Sequence, residues 1–432
     1  MFFNCSNPWT QMILCPSYSA TGDDCASPCC HFRSPLIQEA SRLLVNVSKE
    51  DSIGDVWNSP LFTGLRGNIA QNNPVFEPCK KCFAVEANGN GVIREPTVFS
   101  DESCVENFIE NRYSHPDSLP LASRMRFAGI NPEYIITDKS FFNALSLSQQ
   151  KNMHAAQRSL ENRDVRLDSM PLSYLMRFGY KCNLRCVMCN HEEMCDNRIY
   201  NNREPGELDT GWLKTQEEYF AKSLIVTVTG GEPLFMKSST QFILWFLQNE
   251  ALGNTELRIN TNAMLLERFI PQFDNANVTL TVSIDSYGER YEKIRIGSSW
   301  KTVTGNIDAF LKSKNEIAPH NRLVNIYCTI TRTGLPGIPN LVRWAMDRGL
   351  GMDFTLVENW NEAARAENLL ETPERLADIP RWQRYFDEAI GLLEKNASDR
   401  YAAEHLTVLR DKVSKFTKFT AVRGKNNLSG GH

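Results

Sequence analysis

The sequence has little excess of charge of either sign: 47 Lys and Arg against 51 Asp and Glu leave a formal net charge of -4 over 432 residues. Without a broad basic field, affinity for a nucleic-acid backbone or an anionic membrane is not expected. No apolar run approaches the roughly 18 residues that a membrane span needs. The first residues, Met1-Phe2-Phe3-Asn4-Cys5, show no basic stretch leading into an apolar one. A soluble, cytoplasmic protein is expected, with neither nucleic acid nor membrane as a partner. No repeat of fixed period is evident. With 42% hydrophobic and 23% charged residues, the chain has the material for one large catalytic domain and one or two smaller units.

What the sequence does have is cysteine. Of 13, eight precede residue 105, four lie between 182 and 195, and Cys328 stands alone. Clusters at short spacing in a reducing compartment point to thiolate ligation of metal, and an odd total fits poorly with a fully paired disulfide framework.

Four segments can be read along the chain. Residues 1–103 are rich in Cys, Pro, Gly and Asn and poor in long periodic runs, as expected of a loop-rich unit organised by a metal centre. Residues 104–170 are mixed and polar, with a helical stretch from Leu145 to Leu160. From 171 to 360 short apolar strands alternate with amphipathic helices. The six strands are Leu172 to Phe178, Leu224 to Val228, one beginning at Leu257 and Ile259, Val278 to Ile284, Val324 to Ile330, and Met352 to Leu356. Such repeated βα units predict an α/β fold with a parallel sheet, and six of them suit a partial barrel better than a closed eight-stranded one. Residues 361–432 predict helices, with apolar stripes through Trp382, Tyr385, Phe386, Ala389, Ile390 and Leu393 and through Ala402, Leu406, Leu409, Val413 and Phe416.

The chemistry concentrates in Cys182-Asn183-Leu184-Arg185-Cys186-Val187-Met188-Cys189, which follows the first strand of the array. This spacing resembles the cluster motif of the radical S-adenosylmethionine (SAM) superfamily, and the resemblance extends over residues 171 to 358. It implies a 4Fe-4S cluster on Cys182, Cys186 and Cys189. Three thiolates leave one iron open, to be chelated by SAM, so that an electron from the reduced cluster can break a carbon–sulfur bond. A structural zinc with Cys195 as fourth ligand is the alternative. Further elements agree in order, each at the end of a successive strand, where ligands of parallel βα sheets bind. The resemblance makes Gly230, Gly231 and Glu232 of Thr229-Gly230-Gly231-Glu232-Pro233 contacts of the SAM amino group. Asn262 in Asn260-Thr261-Asn262 lies near SAM by the same resemblance, and Ser283 and Asp285 contact its ribose or carboxylate. Arg295 is a candidate carboxylate partner, and Met188 stands where an aromatic often meets the adenine.

The amino-terminal thiols, in Cys5-Ser6-Asn7-Pro8-Trp9, Pro28-Cys29-Cys30-His31 and Pro78-Cys79-Lys80-Lys81-Cys82, resemble the SPASM and twitch auxiliary-cluster domains. The resemblance implies a second 4Fe-4S cluster on Cys5, Cys29, Cys79 and Cys82, with Cys30 as an alternative to Cys29, and Cys15 or Cys25 as thiols that could join. A zinc knuckle is the competing reading. Family members generally carry this module after the barrel, whereas here it comes first.

The expected function is radical SAM chemistry. SAM is cleaved to a 5'-deoxyadenosyl radical that takes a hydrogen atom from a substrate, with the auxiliary cluster aiding electron transfer. A peptide is the first substrate expectation, and sugar or aminosugar oxidation or epimerisation is the alternative. A non-catalytic iron–sulfur electron carrier is the remote one. The expected partners are the substrate, peptide or small molecule, and an electron donor such as flavodoxin or ferredoxin.

Overall fold

The fold is known from a computed structural model. It describes residues 7–16, 24–28, 45–73, 75–76, 79–80, 132–189, 206–273, 276–317, 323–359, 361–371, 376, 379, 381–395 and 399–428. In chain order the strands are β1 (Gln11–Cys15), β2 (Asp24–Ser27), β3 (Val45–Val47), β4 (Ser173–Arg177), β5 (Arg185–Cys186), β6 (Ile225–Thr229), β7 (Glu256–Thr261), β8 (Val278–Ser283), β9 (Arg295–Ile296), β10 (Leu323–Ile330) and β11 (Gly351–Leu356).

Nine of them form one sheet in the order β11-β10-β8-β7-β6-β4-β1-β2-β3, and β5 pairs with β9 in a separate two-stranded ribbon. The six expected strands are β4, β6, β7, β8, β10 and β11. They pair in parallel, as successive βα crossovers require. Their side chains alternate between two faces. Tyr174, Met176, Val226, Val228, Leu257, Ile259, Leu280, Val282, Ile326 and Phe354 are buried together with helix residues such as Phe242, Ile307, Phe310 and Leu341. The other face is polar and in part accessible, with Arg177, Thr227, Thr229, Arg258, Asn260, Ser283, Tyr327 and Thr355 half-buried. A sheet that is oily on its helix side and polar on the other is the sheet of a partial barrel with a usable interior.

The sheet also extends further than the six-strand reading. β1 runs parallel to β4, from Gln11 beside Ser173 to Leu14 beside Met176, and β2 and β3 continue antiparallel beyond it. The four residues Met12, Ile13, Leu14 and Cys15 are wholly buried, as expected of a strand flanked on both edges. The described part of the amino-terminal segment is thus joined to the barrel sheet through β1. Arg66 fastens it. This fully buried guanidinium lies 4.4 Å from the centroid of the Trp57 ring and donates to the carbonyls of Pro8, Trp57 and Val165 at 2.8, 2.8 and 3.1 Å.

A helix over Leu147–Asn162 opens on a capping box between Ser146 and Gln149. Gln149 donates to the carbonyls of Ser223 and Asn254, just before β6 and β7, and Asn152 donates to Met170 and Lys222. This helix therefore floors the amino ends of the strands and leaves their carboxyl ends to the site. At the other side of the sheet, helices Gln383–Leu393 and Arg400–Leu428 pack on each other and against Ile338–Met346 and β11. Among the described residues no helix is long and apolar enough to cross a membrane.

Candidate functional site

Strand β4 ends at Arg177, and the chain turns through Phe178-Gly179-Tyr180-Lys181 into the cysteine loop. The double-glycine turn after β6 lies directly beneath it. Gly231 N–H donates to Gly179 O and Glu232 N–H to Lys181 O, both at 2.9 Å. A Cβ on Gly231 would lie 2.6 Å from Tyr180 O and from Lys181 C, and closer still to Lys181 O. On Gly230, whose φ is +137°, it would lie 2.6 Å from Gly179 O. Both positions therefore need glycine so that two backbones can touch, and the backbone they admit is that of the cysteine loop itself.

Glu232 is 1% exposed. Its Oε1 accepts from Thr261 Oγ1 at 2.6 Å and Leu234 N–H at 3.1 Å, and its Oε2 accepts from Asn262 N–H at 2.7 Å. Burial raises its pKa, opposed by those three donors. Both oxygens thus engage protein donors, and the carboxylate ties the turn after β6 to the end of β7. Asn262 carries the link onward: its Nδ2 lies 2.8 Å from Asn183 Oδ1 and 3.9 Å from Cys182 Sγ.

The ribbon holds the other side of the loop, with Cys186 opposite Arg295 and Arg185 opposite Ile296. Arg295 Nη1 donates to Cys186 Sγ at 3.7 Å, and its Nε lies 2.6 Å from Asp285 Oδ2. Asp285 is fully buried and its Oδ1 accepts from Thr329 N–H at 2.9 Å. Burial works against the Arg295 cation, and Asp285 and Cys186 outweigh it, so the guanidinium stays protonated. Cys189 is half-buried, with its N–H bonded to Cys186 O and its own carbonyl accepting from Asn361 Nδ2 at 3.0 Å. Met188 is buried in a small cluster with Ile294, Val357 and Ala364. Ser283 is half-buried at the end of β8, beside Tyr327.

The three thiols are half-buried on one loop and close enough to affect one another's ionisation. Burial raises Cys182, against the Leu184 N–H, and pushes Cys186 up to about 11, against the Arg295 charge. Among the described residues no three His, Cys, Asp or Glu side chains converge as they would on a single ion. Thiolates on separate corners of an iron–sulfur cube stand further apart than the ligands of one ion, because each binds its own iron. An amide and a guanidinium directed at two of the sulfurs suit a thiolate-ligated cluster, whose potential such hydrogen bonds tune. Three thiols with an amide and a guanidinium at two of their sulfurs fit the ligands of such a cluster.

The structure thus brings together Cys182, Cys186, Cys189, Gly230, Gly231, Glu232, Asn262, Asp285 and Arg295. Asn183, Thr261, Thr329 and Asn361 also belong to the arrangement and were not singled out from the sequence. Asn183 and Thr261 lie inside quoted motifs, whereas Thr329 and Asn361 carry no local signal. Of the cysteines expected to hold an auxiliary cluster, Cys79 is buried, and Cys5, Cys29 and Cys82 lie outside the described residues.

Comparison with known proteins agrees with this geometry. Residues 176–340 match the family model described as Radical SAM superfamily. Over that span the chain is similar to this superfamily, which implies a 4Fe-4S cluster and SAM. It is similar to the GTP 3',8-cyclase of Rhodopseudomonas palustris (strain TIE-1), 30% identical over 184 residues, covering 41% of this chain and 49% of that protein. It is also similar to the GTP 3',8-cyclase of Rhizobium etli (strain CIAT 652), 26% identical over 213 residues, covering 46% and 56%. The chain thus spans about half the length of the curated relatives it matches. Among solved structures, native anSMEcpe with bound AdoMet and a peptide aligns at 14% identity with a TM-score of 0.36, over 52% of this chain and 60% of that one.

Proposed function

We propose that the protein is a radical SAM enzyme that cleaves SAM reductively and abstracts a hydrogen atom from a peptide. One observation carries the reading: a loop bearing three thiols at the carboxyl end of a partial-barrel sheet, with Asn262 and Arg295 directed at two of its sulfurs. Cys182, Cys186 and Cys189 would hold a 4Fe-4S cluster, which when bound and reduced supplies the electron that breaks the carbon–sulfur bond of SAM. The chain's own residues set the stage for this. Gly230 and Gly231 let the loop lie on the turn after β6, Glu232 fixes Asn262, and Asp285 orients Arg295 toward Cys186. Met188, Ser283 and the accessible edge of the barrel interior are where SAM and substrate would be received.

The peptide assignment rests on the amino-terminal thiol pattern and its likeness to SPASM and twitch modules. In this reading residues 1–103 form the auxiliary unit, with a second cluster on Cys5, Cys29, Cys79 and Cys82. A second substrate reading, a nucleotide, is favoured by the curated relatives named GTP 3',8-cyclase and by the cationic side chain of Arg177 on the polar face of the sheet, where the other arginine, Arg258, is paired with Glu256.

The test is anaerobic reconstitution with iron and sulfide, followed by dithionite and SAM. 5'-Deoxyadenosine should form with the native chain and not with Cys182→Ala, Cys186→Ala or Cys189→Ala. An iron-loaded native protein that forms none refutes the reading. Deuterium from a labelled peptide or nucleotide appearing in the 5'-deoxyadenosine then separates the two substrates.

A further inference from the structure

Tyr291 is fully buried beside the cysteine loop, and its hydroxyl has no use in packing. The residue lies on the helix Glu289–Ile294, which runs directly into β9. Its ring is 0% exposed and meets the Trp300 ring edge-on, with centroids 5.8 Å apart. Its carbonyl accepts from the Arg295 N–H, so the two residues sit one helical turn apart on the same side. A side chain on a helix leans back over the turn before its own Cα, which carries the Arg295 guanidinium toward Tyr291. That guanidinium donates through Nη1 to Cys186 Sγ and lies 2.6 Å from Asp285 Oδ2. Tyr291 is near enough to Arg295, Asp285 and Cys186 for each to act on its ionisation. Yet four buried atoms of this group, Tyr291 Oη, Ser298 Oγ, Asp285 Oδ2 and Arg295 Nε, make no hydrogen bond among the described residues. A phenylalanine would fill nearly the same volume without burying an unsatisfied hydroxyl, which costs stability.

We propose that Tyr291 is a positioning residue for the Cys186 corner of the cluster, its hydroxyl holding the Arg295 guanidinium between Asp285 and the sulfur; the inference rests on the radical SAM reading above. A phenol suits the place because its oxygen accepts from a guanidinium N–H while its own proton goes on to a second acceptor, here the Ser298 hydroxyl. Ser298 sits in the turn after β9 with its N–H bonded to Arg295 O, so it anchors the far end of this chain. Asp285 meets Arg295 at Nε as an ion pair without the alignment of a hydrogen bond, which leaves the plane of the guanidinium to be set by another contact. Tyr291 sets it, and with it the aim of the Nη1–H at Cys186. A donor aimed at a ligand sulfur favours the reduced cluster, which carries one more negative charge. Losing that aim makes the cluster harder to reduce.

The experiment compares the native protein with Tyr291→Phe, both unloaded and reconstituted with iron and sulfide. The unloaded variant should melt at or above the native temperature, because only an unsatisfied hydroxyl has been removed. In the reconstituted holoenzyme, redox titration gives the midpoint potential of the cluster whose electron paramagnetic resonance signal responds to SAM. Tyr291→Phe should make that cluster about tenfold harder to reduce, a fall of about 59 mV for one electron. Because Tyr291 acts through Arg295, adding Tyr291→Phe to Arg295→Gln should leave the potential of Arg295→Gln where it is. An unchanged potential in the single variant, a further fall in the double variant, or a Tyr291→Phe protein that melts below the native one or loads no iron would overturn the proposal. If the native protein shows no SAM-responsive signal, the radical SAM reading itself fails, an outcome distinct from failure of the positioning role alone.

Discussion

Replacing Gly231 by alanine tests the architecture with a single methyl group. The added carbon would lie 2.6 Å from Tyr180 O and Lys181 C, and nearer to Lys181 O. Ordinary contact lies near 3.5 Å, so about 1 Å of movement is required. All three obstructing atoms are backbone, so no side chain can swing aside. They belong to the two residues before Cys182, and the hydrogen bonds from Gly231 N–H to Gly179 O and from Glu232 N–H to Lys181 O oppose separation. The overpacking should cost ~1–3 kcal/mol. The larger effect falls on function, because displacing a ligand loop by about 1 Å exceeds the ~0.5 Å tolerance of a working metal site and costs on the order of a hundredfold in rate. Thermal unfolding of the unloaded protein gives the first quantity, and iron per chain with the rate of 5'-deoxyadenosine formation gives the second. A Gly231→Ala protein that loads iron fully and cleaves SAM at the native rate would refute the claim that this contact sets the loop.

Three further outcomes are expected. Arg66→Ala removes a buried cation that serves three carbonyls and stacks on Trp57. It should cost ~3–5 kcal/mol of unfolding free energy, measured by denaturant titration. Glu232→Gln places an amide donor where an N–H or hydroxyl already points, so one of its three hydrogen bonds is lost against a like group. A loss of ~1.5–3 kcal/mol should accompany weaker cluster retention under a chelator challenge. His405 has its pKa held below 6.5 by burial, partly offset by Asp353. The unfolded chain therefore binds its proton more readily, and the stability linked to His405 is intact above the unfolded value and lost as pH falls through and below it. The native protein should lose more stability between pH 7 and pH 5 than His405→Gln; equal slopes would show that the imidazole is not masked.

Much of the fold was legible because it is written in local periodicity. β4, β6, β7, β8, β10 and β11 each alternate or run apolar between turn signals, and the cysteine loop and its flanking motifs fall at their carboxyl ends. β1 to β3 were not legible for a physical reason. Gln11-Met12-Ile13-Leu14-Cys15 is apolar without alternation, β2 and β3 are short, and the parallel pairing of β1 with β4 joins segments far apart in sequence. Arg66 was equally silent, since its carbonyl partners at Pro8, Trp57 and Val165 come together only in three dimensions. Within the site, the motifs named the residues but not their partners. Glu232 reads as a charge waiting for a ligand's ammonium, whereas the fold surrounds it with Thr261, Leu234 and the Asn262 amide.

That arrangement follows from what the loop must do. A loop that binds metal and admits a ligand can bury little of itself in a hydrophobic core, so apolar packing, here Met188 against Ile294, Val357 and Ala364, is not enough to fix it. Its position has to come from directional contacts with elements that are themselves rigid. Glu232 and Asn262 supply them from the ends of β6 and β7, Asp285 and Arg295 from β8 and β9, and Asn361 from beyond β11. Glu232, Asn262 and Asp285 follow strands of the main sheet whose opposite face is packed against helices, and the helix 147–162 closes the far end of β6 and β7. Stability and positioning are therefore carried by different residues. Core truncations should lower the unfolding free energy and leave the surviving folded protein's cluster chemistry intact, whereas anchor changes should loosen the cluster in a protein that still folds.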